Sequence, residues 1–196
     1  MKQYQRFIPF ALIALGIILV CWPMGQKAFG WMAQRQLRQQ YTASEENVVL
    51  PASSKTPISF SSQSVWQPTR IVIPDLHIDA VIVNGFDEAA LRRGPAHDPK
   101  SAFPGQPGNC VIAAHRNVYG SWFANIDQLQ AESLVQLITP TATYNYHAVS
   151  ISRISENDRS VLAAPANNGS SLTLITCTLP HSTDRVVVTA VLGDSL

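Results

Sequence analysis

Charge is scarce in this sequence: Asp, Glu, Lys and Arg make up 14% of its 196 residues and leave a formal net charge of +1. A balance so close to neutral excludes a general electrostatic affinity for nucleic acid or for acidic surfaces. Cysteine is scarcer still, with three residues at positions 21, 110 and 177. They form no CxxC pair and no Cys/His spacing of a zinc site. Their odd number, with one inside an apolar run, excludes a disulfide scaffold. No internal repeat is visible, and helix-start signals are few. The length suffices for one domain and a targeting segment, not for two full domains.

What the sequence has in excess is apolar side chains, 46% of the chain, and part of that excess is concentrated at the N-terminus. Residues 7 to 24 (FIPFALIALGIILVCWPM) are 18 consecutive uncharged positions. Such a run is just long enough to cross a bilayer and longer than the apolar core of most signal peptides. No small-x-small cleavage site follows it directly, and Trp22 and Trp31 suit interfacial anchors. Residues 1–26 are therefore expected to be a single-pass transmembrane anchor, with Cys21 an apolar filler. The flanking charges, Lys2 and Arg6 before and Lys27, Arg35 and Arg38 after, do not decide orientation. Residues 27–69 read as a short amphipathic juxtamembrane helix (27 to 42) followed by a Ser/Pro/Thr-rich flexible spacer.

From residue 70 to 196 the texture is short β-branched runs broken by Pro, Gly, Asn and Asp: RIVI, HIDAVIV, NCVIAA, LVQLI, TYNYHAVSISRI, SLTLITC and RVVVTAVL. Seven or eight short strands in one small domain indicate a mainly β fold, a closed barrel or a sandwich. Only 87 to 91 and 121 to 129 suggest helical turns.

Three residues carry a chemical signal. Cys177 ends the run LTLITC, so its sulfur is expected at a cleft mouth; the competing reading is a small buried hydrophobe. A free thiol in an outward-facing protein needs a reason, and nucleophilic chemistry is one. Arg185 opens the next strand eight residues later. If the two share a face, the guanidinium supplies fixed donors beside the thiol. His115 ends the run NCVIAA and precedes a polar turn. Among the other histidines, His77 reads as part of a strand, His147 as mid-strand, and His97 and His181 as loop residues. His181 is near enough to Cys177 in sequence to rival His115 as a base.

Taken together, these segments resemble the sortase family. LTLITC resembles its TLxTC signature, AAHRN its strand-end His, and RVVVTA the strand carrying its catalytic Arg. LRRGPAHDPKSAFPGQPGNCVIAAHRN and RIVIPDLHIDAVIV are similar to the stretches that precede them. The likeness covers about residues 70 to 193, with motifs in order. Ala114 departs from the Gly that many members carry before the His. The short connection from Cys177 to Arg185 has no room for an added recognition helix. The resemblance leans toward class D-like or Gram-negative members.

By that resemblance the domain is a closed seven- to eight-stranded barrel and the protein a cysteine transpeptidase. Cys177 is the implied nucleophile, His115 its acid/base partner and Arg185 the oxyanion clamp. Thr176, Arg116 and Asn117 are candidate substrate-binding residues, each with a plain structural alternative. The implied substrate is a secreted protein with an LPxTG-like sorting signal. The implied acceptor is an amine from peptidoglycan or a pilin lysine, on the extracytoplasmic side of the cell membrane. No cofactor or metal is expected, and no acidic cluster supports the calcium dependence of some members. A catalytically silent envelope-binding β-domain and an L,D-type transpeptidase are the rivals; the latter calls for a Ser-x-Gly-Cys neighbourhood that LITC does not offer.

Overall fold

Alternation of side chains along the strands decides how this chain closes on itself. The computed structural model describes residues 8–47, 66–165, 169–178 and 183–193. Eight strands, β1 (Thr69–Ile73), β2 (Ile78–Asn84), β3 (Ala96–His97), β4 (Gly108–Ala113), β5 (Leu134–Ile138), β6 (Thr143–Ser155), β7 (Ser170–Cys177) and β8 (Asp184–Leu192), form a closed barrel. Their order is β1-β2-β3-β4-β7-β8-β6-β5, and β5 returns to β1. Closing a sheet in this way removes the open edges that template aggregation. The pairs β2·β3 and β4·β7 are parallel; the rest are antiparallel.

Inward positions at period two fill the interior: Ile71 and Ile73, Ile78 and Ile82, Cys110 and Ile112, Leu172 and Leu174, Val186 and Val188. Phe123, Ile126 and Tyr146 complete it. Cys110 belongs to this core, and burial pushes its thiol up to about 12, so it is protonated and inert at neutral pH. The outward positions Val81 and Val83 form a second apolar cluster with Leu37, Tyr41, Ala90 and Ala96. Burial on both faces explains why HIDAVIV reads as an almost unbroken apolar run.

The second cluster exists because one helix, α1 (Ile8–Asn47), continues without interruption from the apolar segment into the domain. The separate juxtamembrane helix expected from residue 27 is the second half of this helix, and residues 43 to 47, expected in a spacer, are its last turns. Residues 48–65 of that spacer lie outside the described residues, and Trp66 already packs on the core. Gly30, Ala33, Gln34, Leu37 and Tyr41 are buried at helical spacing. Gln34 behaves as a surrogate strand residue: its amide donates to the Val81 carbonyl (2.9 Å) and accepts from the Val81 N–H (2.8 Å). Arg38 bonds the Asp79 carboxylate (3.3 Å) and its carbonyl. Toward the N-terminus the same helix exposes Phe10, Leu12, Ile13, Leu15, Ile17, Ile18, Leu19 and Val20. Among the described residues it is the one helix long and apolar enough to cross a membrane.

Two histidines differ from their expected surroundings. His77 is no strand residue; it caps the turn Pro74–Leu76 in the left-handed region (φ 52). His97 lies on β3, a two-residue strand too short to read, and is fully buried. It stacks on Trp66 (centroids 4.5 Å apart) and meets Asn84 Oδ1, the Ala102 carbonyl and Ser101 Oγ. Burial lowers its pKa, outweighing the Ala102 carbonyl and the Asp98 charge, which raise it. The unfolded chain therefore binds the extra proton more readily. The stability contributed by neutral His97 is complete above the ordinary value of 6.5 and is lost as pH falls below it. Each pH unit in that window costs at most about 1.4 kcal/mol per histidine. Thermal unfolding at pH 7.5 and 5.5 is expected to show an acid-side loss that His97→Gln reduces. An equal loss in the variant would refute the assignment.

Candidate active site

The registers of β4, β7 and β8 bring three distant residues into one row. On β4 the inward residues are Cys110 and Ile112, and Ala114 just past its end is also in the core, so His115 falls on the outward set. On β7 Leu172 and Leu174 point inward, which puts Cys177 outward as well. Parallel pairing matches Ala113 with Ile175, and continuing it two positions sets His115 abreast of Cys177. Antiparallel pairing sets Arg185 directly opposite Cys177. Directly opposed side chains on one face lie within ~5.5 Å at Cβ. His115, Cys177 and Arg185 thus stand side by side, in that order, on the outer face of one barrel end.

That face is roofed rather than open. Helix α2 (Glu88–Arg93), N-capped by the Asp87 carboxylate on the Ala90 N–H, covers one side. The 3-10 turn Ser160–Leu162 covers the other, where the Val161 carbonyl accepts from Asn109 Nδ2 (2.9 Å) and Thr173 Oγ1 (3.3 Å). Between them lies a cleft of about 360 Å³ that includes His115, Thr176, Cys177 and Arg185 in its lining, with Glu88, Glu156 and Arg159. The volume falls within the range of ligand pockets.

Each member has a distinct environment. Cys177 is partly buried and free, unlike core Cys110. Arg185 donates to Glu156 Oε2 (3.0 Å) and to the Asp184 carbonyl (3.2 Å). That pairing aims the guanidinium, although an ion pair this exposed adds little stability. The His115 Nε2 is buried without a hydrogen-bond partner among the described residues. Burial lowers the His115 pKa; the Glu88 charge opposes this and Arg92 adds to it. A partly dry imidazole that gives up its proton readily suits proton transfer near neutrality.

The remaining expected residues divide. Thr176 borders the cleft but is 3% exposed, and its hydroxyl donates to the Ala114 carbonyl (2.8 Å), tying the Cys177 strand to the His115 strand. Arg116 and Asn117, expected at the cleft, lie outside its lining. Arg116 alternates to the other side of the chain and pairs with Asp127 (2.8 Å), while Asn117 is exposed. His181 lies outside the described residues. Sequence reasoning passed over Glu88, Arg92, Tyr119 and Glu156; nothing local marks them, because α2 and the end of β6 meet the row only in three dimensions. Among the described residues no group of three His, Cys, Asp or Glu is arranged to hold a metal ion.

A sortase-domain family model matches residues 71–193. Sortase A of Streptococcus agalactiae serotype III is 28% identical over 126 residues, 61% of this chain and 50% of that protein. The chain thus spans half the length of this relative. Sortase D of Bacillus subtilis is 21% identical over 182 residues, 88% of this chain and 89% of that one. Among solved structures, a Sortase D5 transpeptidase of Clostridium perfringens superposes with a TM-score of 0.64 at 23% identity, covering 85% of this chain and 99% of that one. Sortase E of Streptomyces avermitilis does so at 0.59 and 28% identity, covering 65% and 89%. With the family model spanning well over half the chain and the barrel shared with these structures, the protein belongs to the sortase family.

Proposed function

We propose that this chain is a single-pass membrane sortase whose domain works on the extracytoplasmic side, joining a secreted protein's sorting signal to an amine. The observation that carries the reading is the row of His115, Cys177 and Arg185 lining one cleft. The Cys177 thiol passes its proton to His115 as the sulfur attacks the carbonyl carbon of a Thr–Gly bond in an LPxTG-like peptide, and the negative charge that develops on the oxygen lies beside Arg185. As the C–N bond breaks, His115 gives its proton to the leaving amine. An amine from peptidoglycan or a pilin lysine then attacks the thioester, losing its proton to His115 while the sulfur departs as thiolate. One hard amide exchange is thereby divided into two easier steps. The class D-like reading is supported by the near full-length match to Bacillus subtilis Sortase D. An anchored enzyme meets anchored substrates at raised effective concentration, which supports the membrane role of α1.

The test uses the full chain in detergent micelles with a library of LPxTG-like peptides, with and without an amine acceptor, followed by intact-mass spectrometry. A thioacyl adduct that the amine converts to ligated peptide is expected. No adduct with any peptide, from folded protein whose Cys177 alkylates at the rate of an ordinary thiol, would instead support a silent envelope-binding domain.

A further inference from the structure

The acid/base histidine is held by an unusual neighbour. In thiol–imidazole pairs a third polar group ordinarily orients the ring. Here the His115 Nε2 has no hydrogen-bond partner among the described residues. What meets the ring is Tyr119, centroid to centroid 5.3 Å and tilted by 46°. Tyr119 is itself fixed from two directions. The Arg92 guanidinium of α2 stands 5.4 Å from its ring centroid and is tethered to Glu88 (3.0 Å). On the other side α1 presses on its backbone. A Cβ on Gly30 would come within 2.4 Å of the Tyr119 carbonyl carbon and oxygen, and Phe29 meets the ring edge-on at 6.3 Å. Tyr119 adopts a left-handed backbone (φ 48), as does Gly120 after it (φ 92), so this turn is held in a conformation that a side chain disfavours. At the next residue of α1, Trp31 meets Trp122 in a second contact with the same loop (5.4 Å).

From these contacts we infer that Tyr119 is a positioning residue for His115, and that the membrane helix acts on the cleft through Gly30 and Phe29. The inference rests on His115 being the acid/base partner of Cys177. α1 is then a working part of the active site as well as a tether: its close approach at Gly30 sets Tyr119, and the Tyr119 ring sets the imidazole. Displacing a catalytic group by about 1 Å lowers rate up to a hundredfold. The charges acting on His115 are Glu88 and Arg92 on α2, and Tyr119 lies against its ring; Cys177, Arg185, Glu156, Asp158 and Arg159 line the same cleft.

The experiment uses the full chain in detergent micelles or nanodiscs, comparing wild type with Tyr119→Ala, Tyr119→Phe and Gly30→Ala. Ligation of an LPxTG-like peptide to an amine reports kcat and KM. The pH dependence of Cys177 alkylation by iodoacetamide reports the histidine beside it. Tyr119→Ala is expected to lower kcat by about tenfold to a hundredfold with KM within threefold, and to move the alkylation profile. Tyr119→Phe, which keeps the ring, restores kcat to within about threefold of wild type. Gly30→Ala pushes on the Tyr119–Gly120 backbone from α1 and leaves the barrel strands unaltered, and since Ala is the better helix former, any loss comes from that encounter. It is expected to lower kcat about tenfold and to move the profile in the same direction. A loop with a merely structural role would lower thermal stability and leave profile and kcat unchanged; that result in Tyr119→Ala, or in Gly30→Ala where the former fails to fold, overturns the inference. Tyr119→Phe as impaired as Tyr119→Ala also overturns it. A wild type that forms no product overturns the transpeptidase reading and this inference with it, whereas an active wild type matched by Tyr119→Ala and Gly30→Ala overturns this inference alone.

Discussion

Cys177→Ala is expected to abolish the thioacyl adduct and to reduce ligation by at least about a thousandfold, while Cys110→Ala keeps wild-type chemistry. The contrast follows from position. Cys177 ends β7 at the cleft, partly exposed and opposite Arg185, whereas Cys110 is 1% exposed within the barrel. Its thiol, pushed to about 12, presents almost no thiolate at neutral pH. Losing the Cys110 sulfur opens a small cavity in the core, so that variant is expected to lose thermal stability while alkylation and ligation proceed. Cys21, on the exposed apolar part of α1, is distinguished by mapping the labelled peptide. Intact mass after incubation with peptide reads the first step, and amine-dependent product reads the second. Ligation surviving in Cys177→Ala, or lost in Cys110→Ala at a temperature where that variant is folded, would remove Cys177 from the mechanism.

Arg185→Ala is expected to lower kcat by about a hundredfold to a thousandfold, roughly 2.7–4 kcal/mol of transition-state stabilisation, with a smaller change in KM. Arg185 pairs with Cys177 across β7·β8, beside the carbonyl oxygen on which charge develops in the proposed reaction. Two of its donors are committed to Glu156 and the Asp184 carbonyl, which fixes the plane of the group before substrate arrives. A preset donor needs no reorganisation during the reaction, and that is the source of its effect. Arg185→Lys keeps the charge without the planar fork and is expected to recover only part of the rate. Single-turnover measurement separates the cases: loss in acyl-enzyme formation supports the oxyanion role. A kcat within threefold of wild type in Arg185→Ala would place the residue outside the transition state.

Much of the domain was readable in one dimension because its strands obey period two. RIVI, HIDAVIV and LTLITC alternate or run apolar according to which faces are covered, and seven of the eight strands stand out. The strand that escaped is β3, whose two residues are too few for any period; His97 therefore passed for a loop residue although it is fully buried. His77 was misread for the opposite reason: it adjoins an apolar run but belongs to the Pro74–Leu76 turn. The three candidates for chemistry were legible at strand ends, with the likeness to sortase motifs to order them. Arg116 and Asn117 were not, since adjacency to His115 in sequence says nothing about which side of the chain faces the cleft.

The sequence alone determined the apolar helix, the mainly β domain and the three strand-end residues, since each depends on local period, composition or motif. Only the tertiary structure decided that α1 continues past residue 26 and docks on the barrel. Its second half is stabilised by Gln34 on Val81 and by burial of Leu37 and Tyr41, contacts 40 to 100 residues away along the chain. It likewise decided that Glu88, Arg92, Tyr119 and Glu156 surround the row. These residues reach it from α2, the loop after β4 and the end of β6, and long-range packing, which no local pattern encodes, brings them together.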